Sequence, residues 1–316
     1  MKVIFIGTSE FAVPSLESVI ASAHEVLAVV TQPDRPKGRG REMQFSPVKE
    51  VALAHSIPIM QPEKISASES IAEIKSHGPV AAIVVVAYGQ KIPREILDWP
   101  ERGVVNVHGS ILPQYRGAAP IQQAIISGET RTGVTTMLMD EGWDTGNILL
   151  QETIDIDPDS NAGDLARELS LIGAKLLVQT LDGLEDGLIA SIPQNDELAT
   201  TAHSLPRDAG VVDWSMAARD IVNLVRGCTP RPGSFARLKN TVLKLWKACV
   251  EAEEGRLGEP GEVIQANDRL VVAAGSGSVR LVEVQPESRR RMPASDYVRG
   301  AGIAAGDRFD VHFDLP

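Results

Sequence analysis

A chain of 316 residues with 43% hydrophobic side chains is long enough to bury two cores. It has no run approaching the roughly 18–20 apolar residues of a membrane helix. Its only cysteines, Cys228 and Cys249, lie far apart and lack metal-ligand spacing, which argues against a disulfide scaffold and a metal site. The net charge of −11 argues against binding nucleic acid through bulk positive charge.

Met1-Lys2 runs straight into strand-like Val3–Ile6, with no long apolar segment and cleavage site ahead of it, so no secretory signal and a cytoplasmic location are expected. Glu10–Ser22 follows as an amphipathic helix, and Glu25–Thr31 as a second strand. Gly7-Thr8-Ser9 joins the first strand to its helix but lacks Gly-x-Gly-x-x-Gly spacing, which predicts a tight turn and no pyrophosphate site. Next comes a loop, Asp34–Arg41, in which Arg35, Lys37, Arg39 and Arg41 face a single acid, Asp34. Gly38-Arg39-Gly40 does not join a strand to a helix, so it is not a phosphate loop.

Pro47–His55 and Ser68–His77 have helical spacing, with start signals at Ser46-Pro47 and Ser68. Ile57–Gln61, Val80–Ala87 and Val104–His108 read as strands between and after them. Ile83–Ala87 is wholly apolar, as a central strand covered on both faces would be. The alternation of strands and helices predicts an α/β, Rossmann-like fold built on a largely parallel, doubly wound sheet.

Val104–His108 alternates, which puts Asn106 and His108 on one face and Val105 and Val107 on the other. Gly109-Ser110 and Leu112-Pro113 end that strand, at the carboxyl edge where open α/β sheets bind ligands. A carboxylate arriving from Asp144, in Asp144-Thr145-Gly146, completes a polar set suited to acyl-type transfer: an oxyanion donor, a tunable acid or base, and a group to orient it. Ser110 invites a Ser/His/Asp hydrolase reading. It is not in a Gly-x-Ser-x-Gly elbow, however, and two residues from His108 on one strand its side chain runs parallel to the imidazole.

Thr135–Met139 and Asn147–Ile156 are expected as strands flanking the Asp144 loop, and Ala162 to Leu184 as a long helix. From Ile189 to Gly210 the pattern loosens like an interdomain linker, with Arg207 its only basic residue. A helix over Ser215–Arg226 then leads into short segments at Ser234–Leu238, Val242–Val250, Gly261–Ala266, Arg269–Ala273 and Val279–Gln285, a spacing that suggests a small β-barrel. Residues 1–206 hold 15 basic and 27 acidic side chains, and residues 207–316 hold 16 and 15, so the acid excess belongs to the N-terminal part. Arg289-Arg290-Arg291 forms a further basic cluster.

The run from Asn106 and His108 through Ser110-Ile111-Leu112-Pro113 and Arg116-Gly117-Ala118-Ala119-Pro120 resembles the folate-dependent formyltransferases. The likeness extends to Val3–Ala12, Thr31–Arg41 and Val84–Gly89, and more loosely to Val212–Ser215, Arg231–Ser234 and Lys244–Ala248. It implies a transfer site of Asn106, His108 and Asp144, and a folate pocket bordered by Val86, Ala87, Tyr88 and Gly89 and by Ser110, Ile111, Leu112 and Pro113, met largely through backbone groups. It further implies 10-formyltetrahydrofolate as formyl donor and no metal. The implied acceptor is the α-amine of methionine on initiator tRNA, contacted by Arg35, Lys37, Arg39 and Arg41. The implied organisation is a catalytic domain over 1–189, a linker over 190–210 and a smaller, OB-like, tRNA-binding domain over 211–316, in a monomer free of membranes.

Three alternatives stay open at this stage: a formyltransferase for nucleotide-sugar amines, a hydrolase releasing formate from the same folate, and a noncatalytic RNA-binding protein of the same fold. The division of labour between His108 and Asp144 is likewise open, as either orients or moves the proton.

Overall fold

The computed structural model describes residues 1–37 and 42–315, and for Pro36, Lys37 and Glu42 the backbone. The chain forms two compact units, one of residues 1–117, 132–154 and 166–201, the other of residues 118–131, 155–165 and 202–316. The expected domains were contiguous in sequence; the compact units exchange short segments.

The elements run β1 (Lys2–Gly7), α1 (Val13–Ile20), β2 (Glu25–Val30), β3 (Arg35–Lys37), β4 (Glu42–Gln44), α2 (Pro47–Ala54), β5 (Ile59–Met60), α3 (Ser68–Lys75), β6 (Ala82–Val86), α4 (Arg94–Leu97), β7 (Val104–His108), α5 (Pro120–Ile126), β8 (Arg131–Leu138), β9 (Ile148–Asp155) and α6 (Ala162–Glu185). Among the described residues β1, β2 and β5 to β9 form one sheet in the order β5-β2-β1-β6-β7-β8-β9. From β5 to β7 every pairing is parallel. The sequence is apolar throughout these central strands because both faces are covered: Val3 to Ile6 and Ala82 to Val86 are all buried.

The next strand departs from the parallel expectation. β8 starts earlier than the predicted Thr135 and runs antiparallel to β7, with Thr135 opposite His108 and Met137 opposite Asn106. A connection of only 22 residues after His108, part of it the Ser110–Pro113 loop, returns the chain from the carboxyl end of β7. β9 then pairs back on β8, as the Leu138 N–H to Asn147 carbonyl and Ile156 N–H to Thr130 carbonyl bonds record.

Local start signals are mostly obeyed. Ser46 caps α2, its hydroxyl accepting the Lys49 N–H at 3.1 Å, with Pro47 at the first helical position. Ser68 does not cap α3; Ala67 holds the cap position and Ser68 is the first helical residue. The predicted Glu10 helix splits into a 3-10 turn over Glu10–Ala12 followed by α1, with Pro14 near the break. Arg35–Lys37, expected as part of a loop, form a strand. β3 and β4 form a short antiparallel pair, with Arg35 opposite Gln44, and Asp34 is held by Lys49 Nζ and by Gln61 Nε2 at 2.9 Å. Those two bonds hold the Asp34 carboxyl below the usual carboxylate range.

The second unit contains α7 (Ala218–Cys228), β10 (Ser234–Leu238), β11 (Thr241–Ala252), β12 (Val263–Ala266), β13 (Leu270–Ala273), β14 (Ser278–Pro286), β15 (Met292–Pro293) and α8 (Ala294–Ala301). Its sheet is antiparallel in the order β10-β11-β14-β13-β12, with β15 on β14. β10 and β12 are not paired with each other in that sheet, and no closed barrel is found among the described residues. Residues 307–310 bond to both edges: the Val263 N–H reaches the Asp307 carbonyl, and the Asp310 N–H reaches the Arg237 carbonyl. Trp214, wholly buried, packs on Phe309 at a ring distance of 5.1 Å and anchors this core. Cys228, buried here, is a free thiol pushed up to about 11 by burial, and Cys249 is also free.

Among the described residues no helix is long and apolar enough to cross a membrane, and no group of His, Cys, Asp and Glu side chains is set to hold a metal.

Candidate active site

Asn106 and His108 lie on β7, one strand in from β8, and are 9% and 6% exposed. Strand alternation alone puts them on one face. The turn after β8 then brings Asp144 to both, with Asn106 Nδ2 3.5 Å from Asp144 Oδ1 and His108 Nδ1 3.6 Å from Asp144 Oδ2. These separations are ion-pair and loose polar contacts, as often found in catalytic sets before substrate draws them together. The other carboxylate contact is firm: the Gly117 N–H donates to Asp144 Oδ2 at 2.9 Å.

The imidazole is oriented from its far side. His108 Nε2 lies 3.0 Å from the Tyr115 carbonyl, which only accepts, so Nε2 carries a hydrogen and Nδ1 is the nitrogen turned to Asp144. The segment 115–117 serves both groups, since its Tyr115 carbonyl fixes the ring and its Gly117 amide fixes the acid. Tyr115 and Asp144 both sit in the left-handed region, at φ 58° and 56°, as does Ala87 at φ 46°. Non-glycine residues held there cost about 1–3 kcal/mol each and persist where the surroundings over-determine them.

Gln194 provides much of that determination, and no local motif marks it. Its Nε2 donates to the Asp144 carbonyl at 2.8 Å and to the Gly146 carbonyl at 2.7 Å, spanning the turn. Its Oε1 accepts from Arg116 Nε at 3.0 Å, and Arg116 Nη2 continues to Asp196 Oδ1 at 2.7 Å. Arg116 is thus a brace. The stretch expected as the start of a linker is hydrogen-bonded into the site: the Arg116 N–H reaches the Thr200 carbonyl at 2.8 Å, and Ile148 and Ile192 exchange backbone bonds.

Ser110 is fully buried, and its hydroxyl donates to the Gln114 carbonyl at 2.6 Å, turned to its own loop and away from His108. A Ser/His/Asp nucleophile is not assembled. Thr135, opposite His108, pins the same loop by donating to the Ser110 carbonyl at 2.7 Å and accepting the Leu112 N–H at 3.1 Å and Gln151 Nε2 at 2.9 Å. Thr135→Val, which keeps the shape and strands these buried partners, is expected to destabilise the fold by about 1–3 kcal/mol, with Thr135→Ser losing far less. Urea titration of both variants checks this; equal losses would remove the pinning role.

Along the other bordering segment, Val86 and Tyr88 are buried side chains, whereas Ala87 and Gly89 are exposed. Burial pushes the Tyr88 phenol up to about 12, and its backbone carbonyl accepts from Thr8 and Gln32. Within this segment the exposed positions, Ala87 and Gly89, present backbone and at most a methyl group. Ile111 and Pro113 are half-buried, and Leu112 is buried. A cavity of about 440 Å³ opens beside Tyr88 and Gly89, lined also by Thr8, Gln32, Arg35, Gln44 and Phe45. Arg35 is exposed there; the Lys37 side chain, Arg39 and Arg41 lie outside the described residues.

Known proteins resemble this chain over nearly its whole length. The formyl transferase family model matches residues 1–181, and the formyl transferase C-terminal domain model matches residues 205–302. A methionyl-tRNA formyltransferase of Geobacter metallireducens is 45% identical over 98% of this chain and 98% of its own length, and one of Geotalea daltonii is 48% identical over 97% of each. Among solved structures, the sugar 3N-formyl transferase WlaRD superposes with a TM-score of 0.65 at 18% identity, covering 92% of this chain and 99% of its own. A methionyl-tRNA formyltransferase from Clostridium thermocellum gives 0.55 at 17% identity, covering 79% and 94%; at such identities both show shared fold alone. Near-complete coverage at more than 40% identity settles the affiliation: the chain belongs to the formyl transferase family and groups there with the methionyl-tRNA formyltransferases.

Proposed function

We propose that the protein transfers the formyl group of 10-formyltetrahydrofolate to the α-amine of methionyl-tRNA, the initiator species, and does so at Asn106, His108 and Asp144. The carrying observation is the convergence of these three side chains at the carboxyl end of β7, with His108 and Asp144 both fixed by segment 115–117. Full-length kinship with methionyl-tRNA formyltransferases supports the choice of acceptor over a nucleotide-sugar amine.

The acceptor amine attacks the formyl carbon unprotonated, which an α-amine with a pKa of about 7.7–8 permits near neutrality. Asn106 Nδ2 donates to the formyl oxygen as it gains negative charge, a contribution of roughly 2.7–4 kcal/mol. His108, with Nε2 committed to Tyr115, takes up at Nδ1 the proton that leaves the amine and passes it to the folate nitrogen, and Asp144 stabilises the imidazolium in between. Backbone at Ala87 and Gly89 and the 110–113 loop border the donor. No covalent enzyme intermediate is required.

Residues 1–189 are assigned to formyl transfer, 190–210 to the connection and 211–316 to an OB-like, tRNA-binding domain, in a cytoplasmic monomer. The family-model boundaries and the bonding of residues 307–310 to both sheet edges support that division. For RNA, Arg35, Lys37, Arg39 and Arg41 supply local positive charge. Trp246 adds a second cationic surface, with Lys244 Nζ 4.0 Å and the Arg291 guanidinium 4.8 Å from its ring. Arg231 and Arg291 gather further positive charge beside Lys244, whose ammonium is pushed down by burial first and then by these two neighbours.

Labelled formyl donor offered with charged initiator tRNA, charged elongator tRNA and a nucleotide-sugar amine is expected to label the initiator. Labelling of the sugar alone, free formate without acceptor, or tRNA binding without turnover would each replace this function with one of its rivals.

A further inference from the structure

We infer that Gln194 is a positioning residue for the reaction, holding the Asp144 turn so that its carboxylate stays against His108 and Asn106. The inference rests on the catalytic assignment of Asp144 and extends the site 50 residues along the chain.

The geometry leaves Gln194 one orientation. A carboxamide has an accepting and a donating end, and the two are distinguished by their partners. Arg116 Nε, 3.0 Å from Oε1, can only donate, so Oε1 is the end that faces it. Nε2 then points both of its hydrogens at carbonyl oxygens, those of Asp144 and Gly146. Arg116, whose side chain is 12% exposed, is in turn held by Asp196, so the amide cannot turn over without breaking a charge-assisted bond.

That clamp acts where the chain most needs one. Asp144 has φ 56°, a conformation an L-residue leaves unless it is tied down, and its carboxylate has one firm partner, the Gly117 N–H. Tyr115, whose carbonyl orients His108, is fixed from the same stretch: its N–H donates to Thr200 Oγ1 at 2.8 Å. Residues 194–200 therefore secure both members of the His108–Asp144 pair without touching either reactive side chain. Gln194 is accordingly expected to matter for rate and little for substrate affinity.

Two variants separate the roles of the amide. Gln194→Met keeps the shape and removes the donors; Gln194→Glu keeps an acceptor for Arg116 and sets a carboxylate against two carbonyl oxygens. Each is expected to lower kcat about 10–100-fold, the loss that a displacement of about 1 Å at a reacting group produces. KM for formyl donor and for tRNA is expected to change less than about twofold, with melting temperature followed in parallel. The deciding measurement is a double-mutant cycle with Asp144→Ala. If Gln194 acts through Asp144, Gln194→Met adds little to the loss already present in Asp144→Ala. An equal loss in both backgrounds would make Gln194 a general structural residue and overturn the inference, as would wild-type kcat in both Gln194 variants. Should Asp144→Ala itself leave kcat unchanged, the catalytic assignment falls and this inference with it; a damaging Asp144→Ala beside harmless Gln194 variants removes this inference alone.

Discussion

Asn106→Ala is expected to lower kcat for formyl transfer about 10²–10³-fold, the usual cost of removing one oxyanion donor. His108→Ala is expected to lower it about 10²–10⁴-fold, the range of a positioned acid or base. Both side chains are nearly buried at the end of a strand whose backbone is paired on both sides, so the variants should fold. Neither group binds charge that exists before reaction begins, so tRNA affinity and donor KM should stay close to wild type. Asp144→Ala should resemble His108→Ala, and the double variant should lose little beyond the worse single one, because the two handle one proton as a unit. Single-turnover rates with saturating donor and charged initiator tRNA measure this directly. Near-normal rates in all three single variants would remove the assignment, and losses confined to KM would turn these residues into binding groups.

Gly146→Ala is expected to be almost as damaging although it adds a single methyl group. A Cβ at that position would lie 1.7 Å from the Leu138 carbonyl oxygen and 3.3 Å from the Asp140 amide nitrogen. Both belong to backbone, so the contact cannot be relieved by a rotamer change; the turn itself must shift. That turn carries Asp144, and the Gly146 carbonyl is one of the two that Gln194 grips. We expect a stability loss of about 1–3 kcal/mol, the range for forced overpacking, together with a kcat reduced by two orders of magnitude or more, since a displacement of about 1 Å near reacting groups costs that much. Gly300→Ala is the control: it lies in α8 with nothing within 4 Å of its Cβ, and there alanine should stabilise by about 0.5–1 kcal/mol. Equal behaviour of the two variants in thermal melts and in turnover would contradict the steric account.

The strand of Asn106 and His108 was legible because its information is local. Period-two alternation sets Asn106 and His108 on one face, and the residues that end the strand are its immediate neighbours in sequence. The apolar run over β6 likewise announced a strand covered on both faces. Ser46 revealed the start of α2 for the same reason, since a cap is satisfied within three residues. The direction of β8 was not legible. Its alternation fits a parallel or an antiparallel neighbour equally well, and the choice falls to where the connection from β7 returns. The β3–β4 pair was hidden behind the glycines and charges of the segment between its strands.

By itself, then, the sequence determined the strand-and-helix alternation, the shared face of Asn106 and His108, and a family resemblance strong enough to name the third member, Asp144. Only tertiary structure decided how those groups are held. The carboxylate is fixed by Gly117, the imidazole by the Tyr115 carbonyl, and the turn by Gln194, with partners 27, 7 and 50 residues away. The physical reason is that alternation and capping follow from dihedral angles of consecutive residues, whereas these bonds exist only after loops between distant segments have closed. Gln194 carries no local mark of its role, because an amide followed by Asn195 and Asp196 looks like any polar surface turn until Arg116 and the Asp144 carbonyl arrive from elsewhere in the chain.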